Sequence, residues 1–181
     1  MIYVFLAKGF EEIEALTVVD FLRRAELEVY TVGIGSKIVA GSHNIPVFCD
    51  LDESEAAADD SLDAIVLPGG MPGTLNLEAS GKIKEMLDFC TENNKLICAI
   101  CAAPSILGHK GLLNGKKATC FPGFEKELEG AEATGEYATV DGNIITGKGM
   151  GSAISFSQAI AARFVGEEKA LKIKESLQCP F

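Results

Sequence analysis

Continuous apolar segments alternate along this chain with segments of helical periodicity, and this alternation is the strongest constraint on its fold. Residues 2–7 are almost entirely apolar, and residues 12–25 follow them after a short loop. In the second segment the apolar positions recur with helical spacing, at Ile13, Leu16, Val19 and Leu22. Strands that are apolar along their whole length are typical of parallel sheets buried on both faces. The chain is therefore predicted to be an α/β protein with a mainly parallel sheet between two layers of helices.

The same alternation continues to the end of the chain. Further strands are predicted at residues 27–32, 45–48, 64–67 and 96–100, and further helices at residues 83–93, 104–109, 152–164 and 167–177. Two alternating runs within residues 136–146 meet at Asp141-Gly142, which predicts a β-hairpin. Because no repeat or linker divides the sequence, residues 1–181 are predicted to form a single domain.

The composition agrees with a globular fold and argues against two classes of partner. The 181 residues are 48% hydrophobic and 23% charged, with a formal net charge of -10. This negative field repels phosphate backbones and acidic lipid surfaces, and no basic run opposes it. Polymeric nucleic acid and membranes are therefore not expected as partners. The N-terminal segment meets Lys8 and Glu11 too early for a signal peptide or a membrane span, so the cytoplasm is the predicted location.

The six cysteines are predicted to be reduced thiols, as is usual in a chain without an export signal. Cys98 and Cys101 have the C-x-x-C spacing of a redox dithiol or of half a zinc site. A dithiol begins at a helix N-terminus, whereas Cys98 lies inside an apolar strand. No second pair of cysteines or histidines supplies the remaining zinc ligands. Neither a metal nor a cofactor is therefore expected.

Cys101 lies where an apolar strand is predicted to pass into a helix. Residues 96–104 read LICAICAAP, so small residues such as Ala102 flank the cysteine. A tight strand-to-helix elbow requires small neighbours and can present a nucleophile. The N–H groups at a helix N-terminus would favour the thiolate over the thiol. The competing interpretation is a buried cysteine that only packs.

The loop after the first strand carries an acidic cluster, Glu11, Glu12 and Glu14, at the sheet edge where Cys101 is also expected. Helical spacing would place Glu11 and Glu14 on one side and Glu12 on another, so one face could point at the strand ends. Acidic residues in a first helical turn also stabilise the helix dipole, which would explain the cluster without catalysis.

A third loop reads PGGMPG and follows the strand at residues 64–67. It could be only a tight turn, or Gly69 and Gly70 could donate backbone N–H groups to an oxyanion formed when sulfur attacks a carbonyl. The two histidines are poor candidates for a catalytic base. His43 lies in a polar turn, and His109 is about two helical turns beyond Cys101, so no Cys-His-Asp triad is predicted.

With these three loops described, the chain resembles the ThiJ/PfpI superfamily, on the branch named for the Parkinson-associated deglycase-like protein and its bacterial relatives. The resemblance covers nearly the whole chain. Its motifs are LAKGFEEIE at 6–14, VDFLRRA at 19–25, VLPGGMPG at 66–73, AICAAP at 99–104 and TGKGMGSA at 146–153.

The resemblance implies a flavodoxin-like three-layer sandwich, a homodimer and an oxidation-sensitive cysteine beside a protonated glutamate. The family pattern places the reactive cysteine at Cys101, the thiol-contacting glutamate at Glu14 and the oxyanion-side glycines at Gly69 and Gly70. A second carboxylate falls on Glu11. Together with Ala102 and Phe121, Glu11 is expected to line the binding space.

The function implied by the resemblance is that of a cofactor-free glyoxalase or deglycase acting on reactive aldehydes or glycated adducts. The alternative is a redox sensor or chaperone whose output is oxidation of Cys101 to a sulfinic acid. Peptidase activity is claimed for other branches, but this chain has no histidine on the elbow to support it. Where several members carry a histidine near the thiol, this chain has Phe121 in KATCFPGF. Cys120 beside it is either a resolving thiol or a packed cysteine.

Overall fold

The computed structural model of the protein describes residues 1–179, which form a central sheet with helices on both faces. The strands are β1 (Ile2–Leu6), β2 (Val29–Gly33), β3 (Ile38–Ala40), β4 (Pro46–Phe48), β5 (Leu51–Asp52), β6 (Ala64–Leu67), β7 (Leu96–Ile100), β8 (Lys117–Ala118), β9 (Glu132–Ala133), β10 (Ala138–Asp141) and β11 (Ile144–Gly147). The helices are α1 (Glu12–Arg24), α2 (Gly73–Ala79), α3 (Gly81–Glu92), α4 (Pro104–His109), α5 (Ala153–Val165) and α6 (Glu167–Ser176).

The main sheet has the strand order β10-β11-β7-β6-β1-β2-β5. All neighbouring pairs in it are parallel except β10 and β11. That antiparallel pair is the hairpin predicted from Asp141-Gly142, and Gly142 adopts the positive φ of 62° that such a turn requires. The predicted mainly parallel sheet and its hairpin are confirmed.

Two hydrophobic cores fill the spaces above and below this sheet. Side chains from α1, α5 and α6 pack on one face, in a core that includes Val4, Leu22, Ile145, Phe156 and Ala170. Side chains from α2, α3 and α4 pack on the other face, in a core that includes Phe5, Leu77, Met86, Ile97 and Leu107. Successive residues of β1 contribute to opposite cores, because strand side chains alternate between faces. The flavodoxin-like three-layer architecture is therefore confirmed.

The buried face of α1 differs from the predicted one. Val19 and Leu22 are buried as expected, but Ile13 is 52% exposed and Leu16 is 38% exposed. The helix instead packs through a neighbouring face that includes Ala15 and Val18. Sequence periodicity alone could not separate the two faces, because both carry apolar residues. Ile13 and Leu16 therefore form an exposed apolar patch on α1.

Several short elements differ from the sequence-based predictions. The strand predicted at residues 45–48 is present as β4, but it pairs with β3 in a separate two-stranded sheet. The elements α2, β3, β5, β8 and β9 were not predicted, because segments of two to seven residues carry little periodicity. No helix among the described residues is both long and apolar enough to cross a membrane.

The loops after β1, β6 and β7 meet at the carboxyl edge of the sheet. The N–H of Glu11 donates to the carbonyl of Gly69 at 2.9 Å. A Cβ atom placed on Gly69 would lie 2.6 Å from the Cβ of Cys101. The convergence expected from parallel strand topology is therefore present.

Candidate active site

Cys101 occupies a strained elbow between β7 and α4. Its φ is 66°, in the left-handed region that residues other than glycine rarely adopt. Two backbone bonds hold it there. Its N–H donates to the carbonyl of Gly147 at 2.9 Å, and its own carbonyl accepts from the N–H of Phe121 at 2.8 Å. The elbow is thus fixed by segments on either side, and the side chain of Cys101 is only partly buried.

Glu14 brings a fully buried carboxyl group to the thiol. It lies in the first turn of α1 with no exposed surface, and its Oε2 accepts a hydrogen bond of 2.9 Å from the N–H of Gly69. Its carboxyl group also lies beside the thiol of Cys101, and its Oε1 is buried without a well-formed hydrogen bond among the described residues. Residue 69 must be glycine, because a Cβ there would lie 2.7 Å from Glu14 Oε2 and 2.6 Å from the Cβ of Cys101.

Burial raises the pKa of Glu14 to about 7 from an ordinary value of 4.5. Hydrogen bonds from the thiol of Cys101 and the N–H of Gly69 act in the opposite direction, and the charge of Glu11 adds to the increase. A carboxyl group with a pKa near neutrality can both accept and release a proton at physiological pH. Glu14 therefore has the acid-base property that proton transfer beside a thiol requires.

The surroundings of Cys101 do not favour the expected thiolate. Burial is the main cause that raises the pKa of the Cys101 thiol to about 12. The charge of Glu14 and its hydrogen bond to the thiol add to the increase. The N–H groups of Ala102 and Gly70 oppose this increase but do not overcome it. The effect of a helix N-terminus is weak because α4 has only six residues and begins three positions after Cys101. The sulfur and the carboxyl therefore titrate as one coupled pair.

The two glycines of the loop after β6 have different partners for their backbone N–H groups. The N–H of Gly69 is engaged with Glu14, whereas the N–H of Gly70 faces the sulfur of Cys101 together with that of Ala102. Gly70 has a φ of 90°, and a Cβ on it would lie 2.4 Å from the nitrogen of Glu11. Gly70 is thus required by both conformation and space.

Glu11 does not share a face with Glu14, contrary to expectation. It is the N-cap residue of α1 with an extended backbone, so the helical spacing used in the prediction does not apply to it. Its carboxylate instead lies beside the carboxylate of Glu12 and the side chains of Ser42 and His43. The hydroxyl of Ser42 lies 3.0 Å from Glu11 Oε2. Glu11 thus contacts the active-site loops through its backbone and a different cluster through its carboxylate.

Neither histidine contacts the thiol, in agreement with the prediction. His43 lies with Glu11 and Glu12. The ring of His109 is held between Glu78 and Glu127, at 2.6 Å and 2.9 Å. Among the described residues, the side chain that influences ionisation of the Cys101 thiol most strongly is therefore the carboxyl group of Glu14.

Phe121 forms one wall of an open cavity of about 240 Å³, whose lining includes neither Cys101 nor Glu14. The cavity is also lined by Tyr137, Gly149 and Met150. Gly149 lies between Phe121 and Glu14: a Cβ on it would be 3.2 Å from the ring of Phe121 and 4.0 Å from Glu14 Oε1. The backbone N–H of Met150 also lies near the Glu14 carboxyl group. No role was predicted for this segment, although the glycines of TGKGMGSA are a signal of close backbone approach.

Cys120 is buried, and burial raises the pKa of its thiol to about 11. Both properties favour the packed cysteine over the resolving thiol.

A thiol at a strand-to-helix elbow of a flavodoxin-like fold, paired with a buried glutamate from the first helix, defines a cysteine-centred class of α/β proteins. The model of the DJ-1/PfpI family matches residues 1–163. The chain belongs to this family.

Three comparisons illustrate the similarity. Protein DJ-1 homolog B of Arabidopsis thaliana is 38% identical over 179 residues, which cover 97% of this chain and 40% of the relative. A deglycase of Thermococcus kodakarensis is 30% identical over 155 residues, which cover 83% of this chain and 90% of that protein. The structure of oxidized Toxoplasma gondii DJ-1 has a TM-score of 0.93 at 34% identity, covering 99% of this chain and 98% of the other. The chain thus spans about two fifths of the length of the plant relative.

Proposed function

We propose that the protein is a cysteine-dependent, cofactor-free enzyme that acts on reactive aldehydes or their early adducts, in the manner of a glyoxalase or deglycase. The observation that carries this proposal is the contact between Cys101 and a Glu14 carboxyl group whose pKa is about 7. The similarity to a protein named a deglycase supports it. A small reactive carbonyl compound or a glycated molecule is the substrate class.

The first chemical step couples sulfur attack to proton transfer. The Glu14 carboxylate accepts the proton of the Cys101 thiol while the sulfur adds to the aldehyde carbon. The N–H groups of Gly70 and Ala102 face the sulfur, close to the position where the oxyanion develops. Return of the proton from Glu14 to that oxygen gives a neutral hemithioacetal. Because the thiol starts protonated, this concerted transfer replaces the preformed thiolate that the sequence favoured.

Glu14 then moves a proton between adjacent carbons. Its carboxylate removes the proton from the former aldehyde carbon of the hemithioacetal, and the electron pair moves onto the neighbouring carbonyl oxygen to give an enediolate. Return of that proton to the neighbouring carbon, with transfer of the hydroxyl proton from the former aldehyde oxygen to the enediolate oxygen, gives a 2-hydroxy thioester of Cys101. Hydrolysis by one water releases a 2-hydroxy acid and restores the thiol. The net reaction is addition of one water to the 2-oxoaldehyde, with no external oxidant or reductant.

The decisive measurement is lactate formation from methylglyoxal by the wild type, Cys101→Ser and Glu14→Gln. Both variants are expected to lose at least about a hundredfold in kcat, as removal of a nucleophile or general base does. Cys120→Ser is the matched control, since this neighbouring buried thiol has no role in the mechanism. Equal rates in the wild type and Cys101→Ser would overturn the proposal.

The second candidate function is a redox sensor or chaperone in which Cys101 is oxidised to a sulfinic acid. Glu14 as a proton donor and the N–H groups of Ala102 and Gly70 are suited to stabilise the added oxygens. A similar fold has been solved in an oxidized form. Mass spectrometry after mild peroxide treatment is expected to find oxidation selectively at Cys101. Uniform oxidation of all six cysteines would contradict this candidate.

We also propose a homodimer in the cytoplasm, formed by one domain per chain. The exposed apolar residues Ile13, Leu16 and Ile45 border a groove of about 540 Å³, to which Ile154 also contributes. An apolar face of this kind on the first helix can pack against the same face of a second chain, because a two-fold interface is formed by the same surface of both subunits.

A further inference from the structure

Glu11, Glu12 and His43 bring three side chains of metal-binding type together outside the Cys101 and Glu14 pair. One potential ligand atom from each residue lies within 4.8 Å of the other two. His43 Nδ1 is 3.1 Å from Glu12 Oε2 and 3.8 Å from Glu11 Oε2. The loop between β3 and β4 delivers the histidine to the start of α1 across about 30 positions of sequence, which is why sequence spacing gave no sign of the cluster.

We propose that Glu11, Glu12 and His43 form a binding site for one divalent transition-metal ion, with Zn²⁺ as the best chemical match. This site is separate from the proposed catalytic pair and does not depend on the proposed function. Imidazole nitrogen with two carboxylate oxygens is a ligand set that suits Zn²⁺, whereas Mg²⁺ and Ca²⁺ prefer oxygen alone.

The spacing of the donor atoms agrees with this assignment. Zn²⁺ binds such ligands at about 2.0 to 2.2 Å, so tetrahedral ligands lie about 3.3 to 3.6 Å apart. The separations of 3.1 and 3.8 Å between His43 and the two carboxylates bracket this value. The hydroxyl of Ser42 lies 3.0 to 3.1 Å from the same two carboxylate oxygens. It marks the fourth position, which Ser42 or a water would occupy.

The protein holds one carboxylate ready for an ion. Glu12 Oε1 accepts hydrogen bonds from the backbone N–H groups of His43 at 2.8 Å and Ile45 at 3.4 Å, which fixes the carboxylate and leaves Oε2 pointing at the histidine. Support of this kind from outside the ligand set orients metal ligands in proteins. A Cβ on Gly41 would lie 2.3 Å from Glu12 Oε1, so the backbone also packs directly against this group.

The charge of the cluster favours a cation. The side chains of Glu11 and Glu12 are only 9% and 6% exposed, and the imidazole of His43 is the cationic group that pairs with both. A divalent ion would set two positive charges against these two buried carboxylates, where a protonated His43 supplies only one. His43 is 68% exposed on its open side, which gives an ion a route from solvent.

The test is titration of metal-free, full-length protein with Zn²⁺ by calorimetry, with metal content checked by mass spectrometry. We expect one tight site per chain, and His43→Asn is expected to weaken it at least tenfold. His109→Asn is the matched control. Glu78 and Glu127 contact different ring nitrogens of His109, so they cannot coordinate one ion together with a single nitrogen of this ring, and binding is expected to be unchanged. Excess Mg²⁺ is expected not to displace Zn²⁺.

The same titration in Cys101→Ser separates this site from thiol binding. Unchanged binding in Cys101→Ser, together with an X-ray absorption spectrum containing nitrogen and oxygen but no sulfur ligands, supports the proposal. Loss of the site in Cys101→Ser, or equal affinity in the wild type and His43→Asn, would overturn it. His43 is exposed, so its variant should fold, as circular dichroism can verify. Glu11→Gln is a second variant with the same expected loss.

Discussion

The N–H of Gly69 donates to Oε2 of Glu14 at 2.9 Å across 55 positions of sequence, and this bond joins the β6 loop to the first helix beside Cys101. The glycine is required because its missing side chain leaves the space in which thiol and carboxyl meet. The geometry of the pair therefore depends on a residue that carries no functional group.

Gly69→Ala is expected to damage both stability and reactivity. The added methyl would lie within 2.7 Å of both Glu14 Oε2 and the Cβ of Cys101, so the fold must shift. Overpacking of this kind costs about 1 to 3 kcal/mol. Chemical denaturation measures the loss of unfolding free energy, and the alkylation rate of Cys101 measures the disturbance of the site. Gly81→Ala is the control, because a Cβ there meets nothing within 4 Å; equal effects of both changes would refute the explanation.

The stability of the wild type is expected to fall as the pH rises from about 4.5 to about 7. Burial raises the pKa of Glu14 from 4.5 in the unfolded chain to about 7, so the folded state binds this proton more tightly. The corresponding stability is fully present below pH 4.5 and is lost as the pH passes 7, with an upper limit of about 3 kcal/mol. Urea denaturation at pH 5 and pH 7.5 tests this in the wild type and in Glu14→Gln. The variant is expected to lack this decrease, and parallel behaviour of the two proteins would contradict the assignment.

Glu14→Gln is expected to accelerate alkylation of Cys101 at pH 8, although it removes the proposed catalytic base. The charge of Glu14 and its hydrogen bond to the thiol contribute to the raised pKa of Cys101, and a neutral amide removes that charge. More thiolate is then present at a given pH, and thiolate is the form that reacts. The measurement is the iodoacetamide rate followed at the Cys101 peptide, with the Cys120 peptide as internal reference. A slower rate in the variant would show that the charge of Glu14 does not suppress ionisation of the sulfur.

Leu16→Asp is expected to convert the proposed dimer into a monomer. A charge at the centre of an apolar interface must be desolvated without a partner, which costs several kcal/mol. Light scattering coupled to gel filtration measures the mass of each species. Leu171→Asp is the control, because Leu171 is also exposed but is not among the residues bordering the groove. A wild type that is monomeric at high concentration, or a dimeric Leu16→Asp, would exclude this interface.

The sequence predicted the layered fold because β1, β6 and β7 are continuous apolar runs bounded by clear turn signals. It also placed Glu14, Gly69 and Cys101 together, since parallel strand topology brings the loops after these strands to one edge. The family resemblance supplied the specific pairing of glutamate and cysteine.

Other features depend on three-dimensional context that no local pattern contains. Ile13 and Leu16 have the spacing of a buried face, but the packing of α1 against the sheet selects a neighbouring face. The extended backbone of Glu11 invalidated a helical spacing rule. The pKa of Cys101 was mispredicted because desolvation by surrounding residues outweighs the dipole of a short helix. These outcomes reflect tertiary packing, which overrides local rules.

The two backbone bonds that anchor Cys101, to Gly147 and from Phe121, make the main chain at the elbow independent of the sulfur atom. Chemical change at the side chain, whether by substrate attachment or oxygen addition, therefore leaves the scaffold's own connections intact. A modified cysteine would therefore not require the turn to be rebuilt.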